Sequence, residues 1–270
     1  MAYQKYIQNI LLGATAAVVV GARIVPGTDQ PGPVLTAAVA FVAPDTAKSG
    51  APELNRSETA SSAVMAALDA FRGSVRGLSH PRALENAFRS YFAYKAAHPE
   101  SVKKPYLYFV DYGLPATTPR GYVFDMDART IVDGPFTVAH GRGSKENGSG
   151  IPTRFSNASG SAATSLGLFV AQELYEFGGH SGGSFYSSVG LRLMGVSPGF
   201  NDNARARGVV AHGAPYVTPT RAGRSEGCPA MEQARARRLL PRLAQGSLVF
   251  LFAPDPSWLN RDPWVVASVR

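Results

Sequence analysis

The chain has 270 residues, 45% of them hydrophobic and 17% charged, a composition that suits one globular domain of moderate size, or one domain with a small helical appendage. Lys and Arg outnumber Asp and Glu by 27 to 19, for a formal net charge of +8. The basic residues are scattered and follow no zinc-finger, RNP-like or basic-zipper pattern; no nucleic-acid partner is expected, and the charge reads as a solvated basic surface or as attraction to an anionic polymer or membrane.

At the N-terminus, Lys5 precedes an apolar run, Ile10 to Ala22, that ends in small residues. The run is short for a transmembrane helix and fits a secretory signal. Val20-Gly21-Ala22 and Ala38-Val39-Ala40 are two cleavage candidates. Left uncleaved, the segment would be an anchor, and this is the membrane association the sequence offers. No cysteine follows it, so lipoprotein attachment is excluded. Residues 1–25 are therefore read as a signal peptide or anchor and 26–56, rich in Pro, Gly and Ala, as a linker. The expected address is outside the cytoplasm, in the periplasm or cell envelope.

Ser57 to Phe71 carries Val64, Leu68 and Phe71 at helical spacing, and Pro81 to Ala97 carries Leu84, Phe88, Tyr91 and Phe92. These stripes are core packing, and 57–104 is read as a helical extension covering one side of the main domain. From Pro105 the texture changes. Tyr106 to Tyr112, Gly121 to Met126 and Thr130 to Ala139 are aromatic and β-branched runs separated by turns, which predicts a strand meander. Further strands are expected at Ser165–Leu174, Ser184–Met194, Gly208–His212 and Ser247–Phe252, and a basic helix at Met231–Leu243, disturbed by Pro241. Residues 105–254 thus form a mainly β domain, followed by a tail, 255–270. The stretch 140–165 is dense in Gly, Ser and Asn, and a loop of that length inside a compact domain is often functional. Nothing in the sequence fixes an oligomeric state.

Cys228 is the only cysteine, in Gly223-Arg224-Ser225-Glu226-Gly227-Cys228-Pro229. A lone cysteine in an exported protein is either inert packing or a reactive thiol. Its neighbours, among them Arg221 and Arg224, are small, polar or basic, which favours the thiol. Sixteen residues upstream stands His212, after an apolar run and before Gly213-Ala214. A thiolate is a strong nucleophile and an imidazole the side chain best suited to take its proton near neutral pH. Cys228 is read as lying immediately before a helix that begins near Pro229, whose N-terminus lowers the thiol pKa and offers free N–H groups, with Gly227 allowing close approach, as an oxyanion hole requires. His180 lies in a Gly-rich polar segment, where substrate contact and simple solvation compete; His140 is a further candidate for the same cleft. The histidines show no metal-ligand spacing, so no metal is expected, and Asn201-Asp202-Asn203 reads as a turn, lacking the glycine and distal glutamate of a calcium loop.

The His-Gly and Ser-x-Gly-Cys pair resembles the signature of the L,D-transpeptidase catalytic-domain family, and most of all its murein branch, in which Gly-Arg-Ser-x-Gly-Cys-Pro-Ala recurs. Val138 to Ser144, Phe155-Ser156-Asn157, Ser165-Leu166-Gly167, Asn201 to Ala204 and Val210 to Ala214 carry the same resemblance, which extends over roughly 105–254. It implies an L,D-transpeptidase-like β-sandwich catalytic domain with few helices, acting on peptidoglycan stem peptides with no cofactor. Carried over by position, Cys228 is the nucleophile, His212 the base, the Gly213 carbonyl the group that orients the imidazole, and the Gly227 and Cys228 amides the oxyanion donors. Arg224, Ser225, His180 and Asn203 are the candidates for substrate contact.

Two positions depart from the wider family. Glu226 stands where His precedes the Gly-Cys pair, and Ala230 where Arg or Asn follows the cysteine by two. The same residues would equally serve an L,D-carboxypeptidase or a cross-link-cleaving peptidase, and a catalytically silent envelope protein that binds peptidoglycan is the reading outside enzymology.

Overall fold

A computed structural model of the chain describes residues 50–266. The expected signal segment, most of the expected linker and the last four residues lie outside these. Helix α1 spans Gly50–Phe71, starting seven residues before the apolar periodicity does. Pro52 falls in its first turn, where an N–H has no intrahelical partner, so the proline removes no bond. Helix α2 spans Ala83–Ala97. Both helices bury their apolar stripes in one core with the sheet: Val64, Phe71, Phe88, Tyr91 and Tyr94 join Phe109, Phe124 and Phe250. The Phe71 ring lies 5.5 Å from that of Phe88 and 4.8 Å from that of Phe124. Each buried phenylalanine stabilises by about 1.5–3 kcal/mol, so the two helices are integral to the core. Among the described residues no helix is long and apolar enough to cross a membrane.

The β framework begins with β1 (Tyr106–Asp111), β2 (Gly121–Asp125), β3 (Thr130–Phe136) and β4 (His140–Gly141). It continues with β5 (Gly167–Ser181), β6 (Ser184–Gly195), β7 (Val210–Ala214), β8 (Val217–Thr218), β9 (Arg221–Ala222), β10 (Arg224–Ser225), β11 (Ala230–Glu232) and, after helix α3 (Gln233–Leu243), β12 (Leu248–Phe252). Eight of these form one sheet in the order β11-β7-β6-β5-β12-β1-β2-β3; β10 pairs with β4 and β8 with β9 in two small ladders. The architecture is mainly β with few helices, as predicted.

Two features of this framework position the site. First, β5 and β6 make a long ribbon closed by Gly182-Gly183, both at positive φ, as a tight two-residue turn requires. Only Gly190–Arg192 of β6 pairs with β7, and only 167–170 of β5 with β12, so the outer half of the ribbon projects past the sheet. Second, residues 230–232, expected to open a helix, are strand: Ala230, Met231 and Glu232 pair with His212, Gly213 and Ala214 in parallel. The ladder bonds to β7 override the helical periodicity that starts at Met231, and α3 begins only at Gln233.

The segment expected as a tail folds as two short helices, α4 (Pro256–Leu259) and α5 (Pro263–Val266). Trp258 is buried there, its Nε1–H donating to Asp262 at 2.7 Å.

Candidate active site

The segment 226–229 is a turn between two short strands that belong to different ladders. Before it, Arg224 and Ser225 pair with His140 and Gly141; after it, Ala230 pairs with His212. The Ser225 hydroxyl ties the turn together, donating to the Cys228 carbonyl at 2.7 Å and accepting from the Gly227 N–H at 3.2 Å. Gly227 sits at φ +121°, and a Cβ on it would come within 2.9 Å of the Ala163 carbonyl oxygen. Only glycine fits that backbone without strain.

Continuing the β11–β7 register sets Cys228 level with Val210, one side-chain repeat from His212 on the same face of the ladder. The sulfur lies 4.0 Å from the Gly208 carbonyl oxygen, and the thiol is half-buried. It is not at a helix N-terminus, because α3 starts five residues later. The lowered pKa expected from such a position is therefore absent. Burial pushes the thiol up to about 11; the Val210 N–H and the Arg207 charge pull it down, and Glu226 pushes it up.

His212 is the middle residue of β7 and 2% exposed. Its Nδ1 is 3.1 Å from the Gly213 carbonyl oxygen. A carbonyl only accepts, so Nδ1 carries the proton and Nε2 keeps its lone pair. The Phe177 ring, from the projecting ribbon, stacks on the imidazole with centroids 4.0 Å apart and planes at 21°. Burial lowers the imidazole to about 4, opposed by the Gly213 bond. At neutral pH the site thus holds a neutral thiol beside a neutral base. Such a pair transfers its proton as the sulfur attacks, not beforehand.

Tyr175, Tyr186 and Tyr216 lie near enough to respond to charge on Cys228. Burial foremost, with the nearby Cys228 charge adding, holds all three phenols above their ordinary value. Arg207 clamps the Gly-rich loop to the site. It donates to the Ser156 carbonyl at 2.8 Å, the Ala163 carbonyl at 2.7 Å and the Ser161 hydroxyl at 3.2 Å, and also bonds the Ser165 hydroxyl.

Cys228, His212, Gly213 and Gly227 are thus brought together. Arg224 lies beside them and is ion-paired with Glu146. Ser225 is also in place, but its hydroxyl is engaged within the turn. His180 is exposed near the ribbon tip, in strand and not in loop, paired with Phe185. Asn203 binds Asn157 through its N–H at 3.1 Å and its side-chain amide at 3.4 Å, so it fastens two loops. His140 is wholly buried, with its Nε2 3.2 Å from Glu146 Oε1. Glu226 is exposed and paired with Arg142 at 2.7 Å. Phe177 and Arg207 are the site residues that the sequence reading does not single out; the alternation Tyr175-x-Phe177, continuing the expected strand past Leu174, is the signal for the first.

Residues 77–252 match the family model described as the L,D-transpeptidase catalytic domain. None of the curated proteins compared matches the chain. Among solved structures, the chain is similar to an L,D-transpeptidase from Mycobacterium smegmatis at 13% identity and TM-score 0.33, covering 55% of this chain and 59% of that one. It is similar to another from Stackebrandtia nassauensis at 14% identity and TM-score 0.34, covering 64% and 67%. A third, from Xylanimonas cellulosilytica, is at 16% identity and TM-score 0.33, covering 59% and 68%. The chain spans 50% and 59% of the length of the first two solved structures it matches. With a family model covering well over half of its length, the chain belongs to the L,D-transpeptidase catalytic domain family.

Proposed function

We propose that the protein is an exported cysteine L,D-transpeptidase acting on peptidoglycan stem peptides. The observation that carries this reading is His212, fixed through Nδ1 by the Gly213 carbonyl so that Nε2 is free to serve Cys228, in the turn that leads into the neighbouring strand. The thiol attacks the carbonyl of the third, diamino-acid residue of a donor tetrapeptide, and His212 Nε2 takes the thiol proton as the C–S bond forms. The Cys228 N–H meets the resulting oxyanion, joined by the Gly227 N–H as it leaves the Ser225 hydroxyl. Collapse breaks the peptide bond and the terminal D-alanine leaves as an amine, protonated by His212. A neighbouring stem's amine then attacks the thioester, gives its proton to His212, and regenerates Cys228. No metal or organic cofactor enters this chemistry. The cell envelope is the expected address, with residues 1–25 as signal peptide or anchor.

Mass spectrometry of products from purified disaccharide-tetrapeptide, beside a Cys228→Ala control, tests the reading. A Cys228-dependent dimer lacking one D-alanine supports it. Tripeptide monomer alone identifies a carboxypeptidase using the same acyl-enzyme with water. Identical products from protein and control overturn it.

A further inference from the structure

Next to the nucleophile turn, three segments enclose a cavity of about 310 Å³, with Thr117, Glu146, Ser149, Gly150, Arg221 and Arg224 in its walls. Arg224, four residues before Cys228, is ion-paired with the Oε2 of Glu146. The other carboxylate oxygen, Oε1, lies 3.2 Å from Nε2 of His140. Both of those atoms are buried, and neither has a hydrogen bond of good geometry.

His140 is fully buried and its orientation is fixed from behind. Arg120, also fully buried, donates to His140 Nδ1 at 2.9 Å, and a guanidinium can only donate. Nδ1 is therefore the acceptor and Nε2 carries the proton, pointing at Glu146. Burial, with the Arg120 and Arg224 charges, holds this imidazole down at about 3, so it stays neutral. One carboxylate thus sits between a guanidinium it binds well and an N–H it binds poorly. A planar carboxylate on Arg224, at the edge of a cavity that also carries the exposed Arg221, occupies the place a ligand carboxylate would take.

We propose that this cavity is a carboxylate-binding subsite: Arg224 and Arg221 take the carboxylate of a ligand, and Glu146, the internal carboxylate that fills Arg224 in the free protein, is released onto the waiting Nε2–H of His140. The carboxylate class follows from the residues; that its source is a stem peptide rests on the function proposed above.

The test is titration of the full chain with N-acetyl-D-alanine, followed by NMR, beside its uncharged amide and inorganic phosphate. The acid should bind and the amide should not. Glu146→Gln removes the internal competitor and should tighten the acid by about tenfold, a gain in place of the loss expected from breaking a structural ion pair. Arg224→Gln should abolish binding; if that variant does not fold, Arg221→Gln, at an exposed position, should weaken it severalfold. Equal affinity for acid and amide, tighter binding of phosphate, or no binding by either wild type or Glu146→Gln overturns the subsite. None of these readouts needs turnover, so carboxylate binding without products sinks only the transpeptidase reading, and products without carboxylate binding sink only the subsite.

Discussion

The Phe177 ring lies flat on the His212 imidazole, 4.0 Å between centroids, carried there by the part of the β5–β6 ribbon that pairs with nothing but itself. Stacking covers one face of this imidazole, the proposed base, and burial is the first cause of its lowered pKa. Phe177→Ala should open that face to water, so His212 rises from about 4 toward its ordinary 6.5. The acid limb of the pH profile for acylation of Cys228 should move up in the same direction, with a loss of less than about tenfold at neutral pH, where the base is still mostly unprotonated. An acid limb that stays in place would mean that Phe177 only packs.

Cys228 should titrate high, near 11, because it is half-buried with no helix terminus behind it. Two charges of opposite sign tune it. Arg207 lowers the thiol and Glu226 raises it. Arg207→Gln should therefore move the onset of alkylation by a thiol reagent to higher pH, and Glu226→Gln to lower pH. Arg207→Lys keeps the charge but not the clamp on the Gly-rich loop, so it should leave the onset near that of wild type while lowering the melting temperature. If Gln and Lys at position 207 shift the onset equally, Arg207 acts through the loop and not through its charge.

The proposed pairing of Cys228 with His212 can be read from the sequence because it depends on residue types and short spacing: a single thiol, a histidine after an apolar run, and glycines where the backbone must turn. The helices and most strands are legible from periodicity for the same reason. What surrounds the pair is set by register between segments far apart in the chain. The strand at 230–232 exists because β7 offers it a ladder, which no local pattern announces. Phe177 reaches the site because the ribbon extends past its apolar run, and Arg207 because the loop at 156–165 folds back over it. Ser225 and Asn203 look like substrate contacts by type, yet both are engaged in fastening backbone to backbone. Whether a polar side chain faces inward or outward is decided by acceptors that only the fold brings near.

Gly227 makes a sharper test of the turn than any change to the thiol. At φ +121°, with a Cβ position 2.9 Å from the Ala163 carbonyl oxygen, Gly227→Ala must strain the backbone or push the Gly-rich loop away. The strain should cost about 1–3 kcal/mol in a denaturant titration. A displacement of about 1 Å at the nucleophile should reduce turnover by about 100-fold. Wild-type turnover in a destabilised variant would show that the turn does not set the thiol's position.

The two buried histidines also set how the fold responds to acid. Burial is the first cause of the lowered pKa of each, about 3 for His140 and about 4 for His212. In the unfolded chain each takes up its proton near 6.5, so between 6.5 and the folded values the unfolded state holds more protons. Stability should therefore fall as pH drops through that window, level off below it, and be untouched by these residues above about 7. Between pH 7 and pH 5 each histidine accounts for about 2 kcal/mol of the loss. Asp111 and Asp262, raised by burial, act with the opposite sign, so a single curve mixes contributions. Comparing wild type with His140→Gln separates them. The glutamine can still accept from Arg120 and donate toward Glu146, but it cannot titrate. Denaturant titrations at pH 7 and pH 5 should show a loss about 2 kcal/mol smaller in the variant. Equal losses in the two proteins would mean that His140 is not held neutral in the fold, and that its Nδ1 does not serve Arg120 as an acceptor.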